Sequence, residues 1–358
     1  MKAKKNFKDM NFEPQKMRAV MFKNHGDIDQ LEHTYAEIPH VGPHEVLVKV
    51  KACALNHLDL WTLMGMPGIK VPLPHILGCD IAGEVVQRGS QVKGIPMKKP
   101  VIVAPGISCG KCSFCKSGWD SLCPEYHIMG FQVNGGYAEY VKAPARNIIP
   151  VNRRLSFEEW AAIPLVHLTA WHMLVTRAGL QKGETCLIHA AGSGVGSAAI
   201  QLARHLGARI ITTVGTDEKI RRAKAIGAHE VINYQKKDFL AEVKKITDGR
   251  GVDVVLEHIG PATFTKSMAC LAKKGRMVTC GATSGPTVSL DLRYLFVKQL
   301  SLSGCYMGSV KELRKVVSLV RKKKLRPVID EIFPLREARQ ALKRLQRRAN
   351  FGKIILVP

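Results

Sequence analysis

Acids are scarce in this chain. Its 358 residues include 29 Asp and Glu against 54 Lys and Arg, a formal net charge of +25 at pH 7. Aromatic residues are also few, at 6%. No apolar run approaches the roughly 20 residues needed to cross a bilayer, so no membrane span is expected. The opening stretch, MKAKKNFKDMNFEPQKMRAV, is basic but has no apolar segment after its charges, which excludes a secretory signal. Asp9 and Glu13 within it argue against an organellar transit peptide. Internal repeats and low-complexity segments are missing too. What remains is a soluble, globular, cytoplasmic protein, long enough for two domains with cores of their own.

Much of the charge lies near the C-terminus. From Lys311 to Lys353 there are 15 Lys and Arg against 4 Asp and Glu, densest in RKKKLR (321–326) and KRLQRR (343–348). A solvated helix face is the plainer reading. The sharper one is an attractive field for phosphate-rich ligands or nucleic acid. Only Phe333 and Phe351 offer stacking surfaces there, which counts against nucleic acid.

Residues 1–16 are expected to form a flexible basic extension, with the fold starting at MRAVMF. Residues 17–159 read as β-rich, punctuated by Pro and Gly in PHVGPHE, GMPG and VPLP. From about Glu184 apolar strands alternate with amphipathic helices: TCLIHAAG, GSAAIQLARHLG, RIITTVG, EKIRRAKAIGA, EVINY and onward to LSLSGCY. Six strands with helical crossovers predict an α/β, doubly wound parallel sheet over residues 160–300. The tail, 301–358, ends in a helix and an apolar strand that rejoin the first domain.

Ten cysteines without a secretory signal point to thiols or metal sites rather than disulfides. Four of them, Cys109, Cys112, Cys115 and Cys123, follow the spacing C-x2-C-x2-C-x7-C within a lobe at about 105–125. Such turns aim thiolates at one ion, and four thiolates leave zinc no open position, so one structural Zn²⁺ is expected. Lys111 and Lys116 offset the excess negative charge. Cys53, Cys186, Cys270, Cys280 and Cys305 sit in apolar patterns and read as core.

After the strand TCLIHA comes AAGSGVGSAAIQLA, a Gly-rich turn opening a helix. Gly192, Ser193, Gly194, Val195 and Gly196 would present backbone N–H groups and a helix N-terminus to a dinucleotide pyrophosphate. Read from Ala191 the spacing is A-x-S-x-x-G, so the strand–turn–helix setting carries the signal more than the motif does. The next strand ends in TTVGT without the acid that binds a ribose 2′-hydroxyl. Thr216 ends that stretch, and Lys219, Arg221 and Arg222 follow. NADPH is therefore expected over NADH.

These pieces together resemble the medium-chain dehydrogenase/reductase superfamily, from about Met17 to Pro358. GPHEVLVKVKACALNHLD, GCDIAGEVV, the four-cysteine lobe, NGGYAEYV, AAGSGVGSAAIQLA and FGKIILVP carry the resemblance. It implies a GroES-like catalytic domain (17–159 and 301–358) interrupted by a Rossmann domain, and an active site in the cleft between them. GTDEK and AIGAHEVINY look like the quinone oxidoreductase branch. There, positions matching Lys219 and Tyr234 contact the NADPH 2′-phosphate, Lys353 matches a basic position near the cofactor phosphates, and Thr169 stands beside the nicotinamide. A homodimer or homotetramer is expected on the same ground.

The family's zinc alcohol dehydrogenases hold a second, catalytic zinc. Here its ligand positions fall on Asn56, the pair Cys79–Asp80 and Leu165, and its proton-relay positions on Leu58 and Trp61. Metal-assisted alcohol oxidation needs both a Lewis acid and a proton route. The resemblance thus implies a different reaction: NADPH-dependent hydride transfer to an activated double bond or quinone, as in an enone, quinone or enoyl-thioester reductase. Candidate site residues are Asn56 near the nicotinamide, His57 at the pyrophosphate, Cys79 and Asp80 in the cleft, and His167. His57, His167 or solvent would supply the proton. The alternatives are a zinc alcohol dehydrogenase with an unusual ligand set drawn from His57, Cys79, Asp80 and His167, and a nucleic-acid-binding protein of the same fold.

Overall fold

The computed structural model describes residues 16–358. The extension expected over 1–16 lies outside the described residues except for Lys16, which already belongs to a strand, Lys16–Phe22.

The alternating pattern after Glu184 folds into a six-stranded sheet in which every neighbouring pair is parallel. Across the sheet the order is Glu230–Asn233, Arg209–Val214, Thr185–Ile188, Val252–Glu257, Leu271–Thr279, Ser301–Gly304. Strands covered on both faces need continuous apolar runs; Thr185–Ile188 (TCLI) is buried at all four positions. Helices Gly194–His205, Glu218–Ala225, Phe239–Ile246 and Phe264–Cys270 carry the chain between strands. The winding reverses between Thr185–Ile188 and Val252–Glu257, which opens a crevice beyond the carboxyl ends of those strands.

This unit does not end at residue 300 as expected. Ser301–Gly304 is its sixth strand, in register with Arg276–Thr279. Helix Val310–Arg321 then packs on helix Pro164–Trp171. The physical reason is that LSLSG extends the open parallel edge, and the apolar stripe of the following helix (Leu313, Val316, Val317, Val320) is buried in the core of the same unit.

The rest of the chain builds a three-stranded sheet, Glu32–Glu37, Lys16–Phe22, His75–Ile76, and a seven-stranded sheet in the order Ile148–Pro150, Pro100–Val103, Asp80–Arg88, Glu45–Ala54, Lys353–Val357, Ile329–Pro334, with Tyr140–Pro144 also paired to Glu45–Ala54. The C-terminal strand thus returns to the first part of the chain: Ile355 pairs Ala54 and Leu356 pairs Cys53. That return brings Lys353 to the end of the strand that leads into Asn56. A short antiparallel ladder, Gly106–Ile107 with His127–Ile128, closes the base of the four-cysteine lobe. Trp160, Val166 and Leu168 join residues of both sheets in one continuous apolar core, so the crevice between the units has rigid walls.

Candidate functional site: a cleft between the two sheets

A cleft of about 560 Å³ runs between the two units. Gly192, Ser193, Gly194 and Val195 line it, with Thr169, Thr216, Lys219, Tyr234, Asn56, His57 and Lys353. Ser193 caps the helix Gly194–His205, its Oγ accepting from Gly196 N at 2.9 Å. The first-turn N–H groups of that helix face the cleft and suit a pyrophosphate. Gly196 itself is not on the cleft wall. A Cβ there would stand 2.2 Å from Ala190 O, so glycine is required for the close approach of helix to strand, and its part in dinucleotide binding is indirect. The C-terminal segment is tied to the same turn, Gly352 N donating to Gly192 O at 2.8 Å.

At the end of Arg209–Val214 no carboxylate faces the cleft. Asp217, the nearest acid, is turned away to Asn233 Nδ2 at 2.6 Å and to Lys236. Those two donors hold its carboxyl below the usual range. Lys219, Tyr234, Arg347 and Arg348 line this part of the cleft instead. The Lys219 ammonium donates to the carbonyls of Arg348 (2.8 Å) and Asn350 (2.9 Å). Two of its three protons therefore fix the loop that carries Arg348. Sequence reasoning placed Arg347 and Arg348 only within the basic run KRLQRR (343–348) and not at the cofactor, because they arrive from the far end of the chain.

Opposite the turn lies a buried polar knot. Lys353 Nζ donates to Leu55 O (2.6 Å), Asn56 Oδ1 (2.6 Å) and Asp80 Oδ2 (2.8 Å). Asn56 Nδ2 donates to Asp80 Oδ2 (2.9 Å) and Cys79 Sγ (3.3 Å), and Leu165 N donates to Asp80 Oδ1 (2.6 Å). Asp80 is fully buried and Lys353 is 4% exposed.

This geometry revises three expectations. Lys353 spends all three of its donors inside the protein, so its ammonium serves the knot and not the cofactor phosphates. The Asn56 amide is committed on both its oxygen and its nitrogen, which leaves it no donor for a substrate. Cys79 and Asp80 lie behind the cleft wall. Burial, with Asp80 and Asp59 nearby, pushes the Cys79 thiol well above its usual pKa and keeps it protonated.

A second carboxylate, Asp59, sits beneath the knot. It accepts from Asn56 N (2.7 Å) and Tyr137 Oη (2.9 Å), and burial raises its pKa to about 6.

The histidines divide. His57 opens the helix His57–Met64 and lines the cleft. Burial, then the charges of His258, Arg348 and Lys353, lower its pKa to about 4, so its ring is neutral at pH 7. His167 does not reach the cleft. Leu165, Val166 and Thr169 form the cleft face of its helix, and at 100° per residue His167 points roughly 150° away from them. It is buried with neither ring nitrogen paired, and burial lowers its pKa to about 4. Cys280, expected in the core, is half-buried and on the cleft wall.

In the four-cysteine lobe the sulfur atoms of Cys109, Cys112, Cys115 and Cys123 all lie within 4.8 Å of one another. Cys112 and Cys115 are 3.5 Å apart, Cys109 and Cys115 3.9 Å. Tetrahedral zinc with bonds of about 2.3 Å needs sulfurs about 3.8 Å apart, so the set fits that ion. Backbone N–H groups of Lys111 and Cys112 hold the Cys109 thiol down to about 6; against the pull of the Cys115 N–H, desolvation and the neighbouring sulfurs push the Cys112 thiol up to about 11, so Cys109 ionises first. Among the described residues no other group of three or more His, Cys, Asp or Glu converges in this way. His57, Cys79, Asp80 and His167 do not form the unusual ligand set.

Comparison with known proteins agrees with this architecture. Residues 42–153 match the family model "Alcohol dehydrogenase GroES-like domain" and residues 194–322 match "Zinc-binding dehydrogenase". An NAD-dependent alcohol dehydrogenase of Sulfolobus acidocaldarius is 33% identical over 348 residues, 95% of this chain and 99% of that protein. A crotonyl-CoA carboxylase/reductase of Cereibacter sphaeroides is 30% identical over 363 residues, 92% of this chain and 84% of that protein. The crystal structure of an NAD-dependent alcohol dehydrogenase superposes with a TM-score of 0.92 at 44% identity, covering 96% of this chain and 100% of that one. The chain belongs to the medium-chain dehydrogenase/reductase superfamily. Within it, the protein is an NAD(P)-dependent oxidoreductase.

Proposed function

We propose that this protein is an NADPH-dependent reductase of activated double bonds, acting on enones, enoyl thioesters or quinones, with zinc confined to the Cys109–Cys123 lobe. The observation that carries the reading is the Lys353–Asp80–Asn56 knot. At the positions matching a catalytic zinc site, this chain has an amide, a protonated thiol, a carboxylate and Leu165, and an ammonium already supplies the positive charge that the carboxylate needs. Without a Lewis acid to bind an alkoxide, the acceptor must be electrophilic in its own right. Bound nicotinamide supplies the hydride.

The chain's residues do the rest. Gly192–Val195 and the helix behind them hold the pyrophosphate. Neutral His57 keeps that pocket from overcharging, and Leu58, Trp61 and Leu165 exclude water from the reacting end. Lys219, Tyr234 and Arg348, with Asp217 turned away, favour a 2′-phosphate. The cysteine lobe holds its ion as a clamp on the loop.

A homodimer fits an exposed apolar patch, Leu292, Phe296, Val297 and Leu302, on the open edge of the six-stranded sheet, where Leu292 is 62% and Phe296 and Val297 are 66% exposed.

A second reading, alcohol oxidation, is favoured by the 44% identical alcohol dehydrogenase structure. An NADPH-oxidation screen over enones, enoyl-CoAs and quinones, with products identified, tests the proposal. Saturated carbonyl or quinol product is expected; turnover confined to primary or secondary alcohols would overturn it.

A further inference from the structure

The knot consumes the polar groups at the floor of the cleft, so a substrate carbonyl must find its hydrogen-bond donor elsewhere. We propose that Tyr306 is a catalytic residue, its phenol donating a hydrogen bond to the carbonyl oxygen of the acceptor as that oxygen becomes an enolate. This rests on the reductase reading above.

Tyr306 follows the sixth strand, Ser301–Gly304, at the carboxyl end of the sheet where ligands of such folds bind. It lines the cleft together with the apolar Met307, Ile128 and Leu165 and is 49% exposed. Two features hold it there. Tyr126 braces the ring edge-on, with centroids 6.0 Å apart and planes at 65°. Met307, the next residue, is buried and has φ +57°, a left-handed conformation that non-glycine residues adopt at a cost of about 1–3 kcal/mol. Such strain persists only where the surrounding structure enforces it.

The hydroxyl is in the right state to donate. Burial raises its pKa above the usual value, with Gln132 pulling the other way, so it is protonated at neutral pH. Gln132 Oε1 is committed to Ile128 N at 2.8 Å, which leaves that amide only its N–H groups to offer the phenol. The phenolic hydrogen is thereby left for a ligand. The Thr283 hydroxyl, which also lines the cleft, already donates to His258 O at 2.9 Å.

In the reaction, hydride adds to the β-carbon, the C=C pair moves into the carbonyl, and charge collects on its oxygen. The Tyr306 O–H stabilises that charge without being consumed. Water then delivers a proton to the α-carbon and the C=O bond re-forms.

The test is Tyr306→Phe. Loss of one such donor lowers kcat roughly 100-fold in comparable sites, and KM for NADPH should not move. Independently of turnover, 4-nitrophenolate, an enolate-like oxyanion, should bind the wild-type protein with a red shift of its absorbance. It should bind the variant roughly tenfold or more weakly. Tyr35→Phe, which removes an exposed hydroxyl on the strand Glu32–Glu37 outside the cleft, should change neither readout. Wild-type kcat and wild-type phenolate affinity in Tyr306→Phe would overturn the assignment. If the wild-type protein reduces no enone, enoyl thioester or quinone at all, the reductase reading fails first and the reaction given to Tyr306 goes with it.

Discussion

Replacing Lys353 by Met should destabilise the protein far more than removing one surface cation would. At 2.8 Å and an effective dielectric of about 20, its attraction to Asp80 is on the order of 6 kcal/mol. Desolvating the two ions costs several kcal/mol each, so the intact pair is close to neutral for stability. The variant keeps the cost of burying Asp80 and loses what offsets it, for a predicted loss of about 3–5 kcal/mol. Asp59 adds to this, because Lys353 is one of the groups holding its carboxyl down. Asp80→Leu should lose a similar amount, since it strands the ammonium together with Leu165 N and the Asn56 amide. The double variant, Asp80→Leu with Lys353→Met, removes both charges and leaves only neutral groups unpaired: the Leu165 and Asn56 donors and the Leu55 and Asn56 acceptors. It should lose about 1–3 kcal/mol, well short of the sum of the single losses. Equilibrium urea unfolding followed by tryptophan fluorescence measures the cycle, Trp160 being buried at the junction of the two sheets. Additive single losses, or a Lys353→Met variant within about 0.5 kcal/mol of wild type, would refute the buried pair.

Lys219→Ala should lower the preference for NADPH over NADH roughly tenfold or more in kcat/KM, because it frees the Arg348 loop as well as removing a cation; an unchanged preference would count against the 2′-phosphate site. Gly196→Ala should weaken dinucleotide affinity and cost about 1–3 kcal/mol by overpacking against Ala190 O, read by NADPH fluorescence titration and thermal melting. Acid should destabilise the fold between about pH 6.5 and 4: His57, His167 and His75, which is buried in the short strand His75–Ile76, titrate near 4 when folded and near 6.5 when unfolded, so the unfolded chain binds more protons in that window. Asp59, raised to about 6, opposes them singly, and a stability that rises as pH falls from 6.5 to 4 would contradict this balance. Phe296→Asp should convert a dimer to a monomer by light scattering; an unchanged mass would place the interface elsewhere.

The parallel sheet was legible because strands buried on both faces cannot avoid runs such as TCLI and VDVV. The glycine-rich strand–turn–helix and the convergence of four cysteines were legible because each is built from residues close in sequence. The knot was not. Lys353 lies 273 residues from Asp80, and only the return of the C-terminal strand beside Glu45–Ala54 brings them together. The motif therefore placed Asn56, Cys79 and Asp80 at one site, but nothing local showed that their polar atoms turn toward an ammonium and away from the substrate. His167 failed for a simpler reason. Its helix is apolar on nearly every face, so the sequence could not tell which side meets the cleft. Tyr306 could have been noticed from its position just past the last parallel strand.

Zinc content of the purified protein tests the central claim most directly. One zinc per chain, lost in Cys112→Ser and retained in Asp80→Leu, is the predicted result, with NADPH-dependent reduction measured on the same preparation. Two zincs per chain, the second lost with Cys79 or Asp80 and activity lost with it, would contradict a catalytic cleft that works without metal.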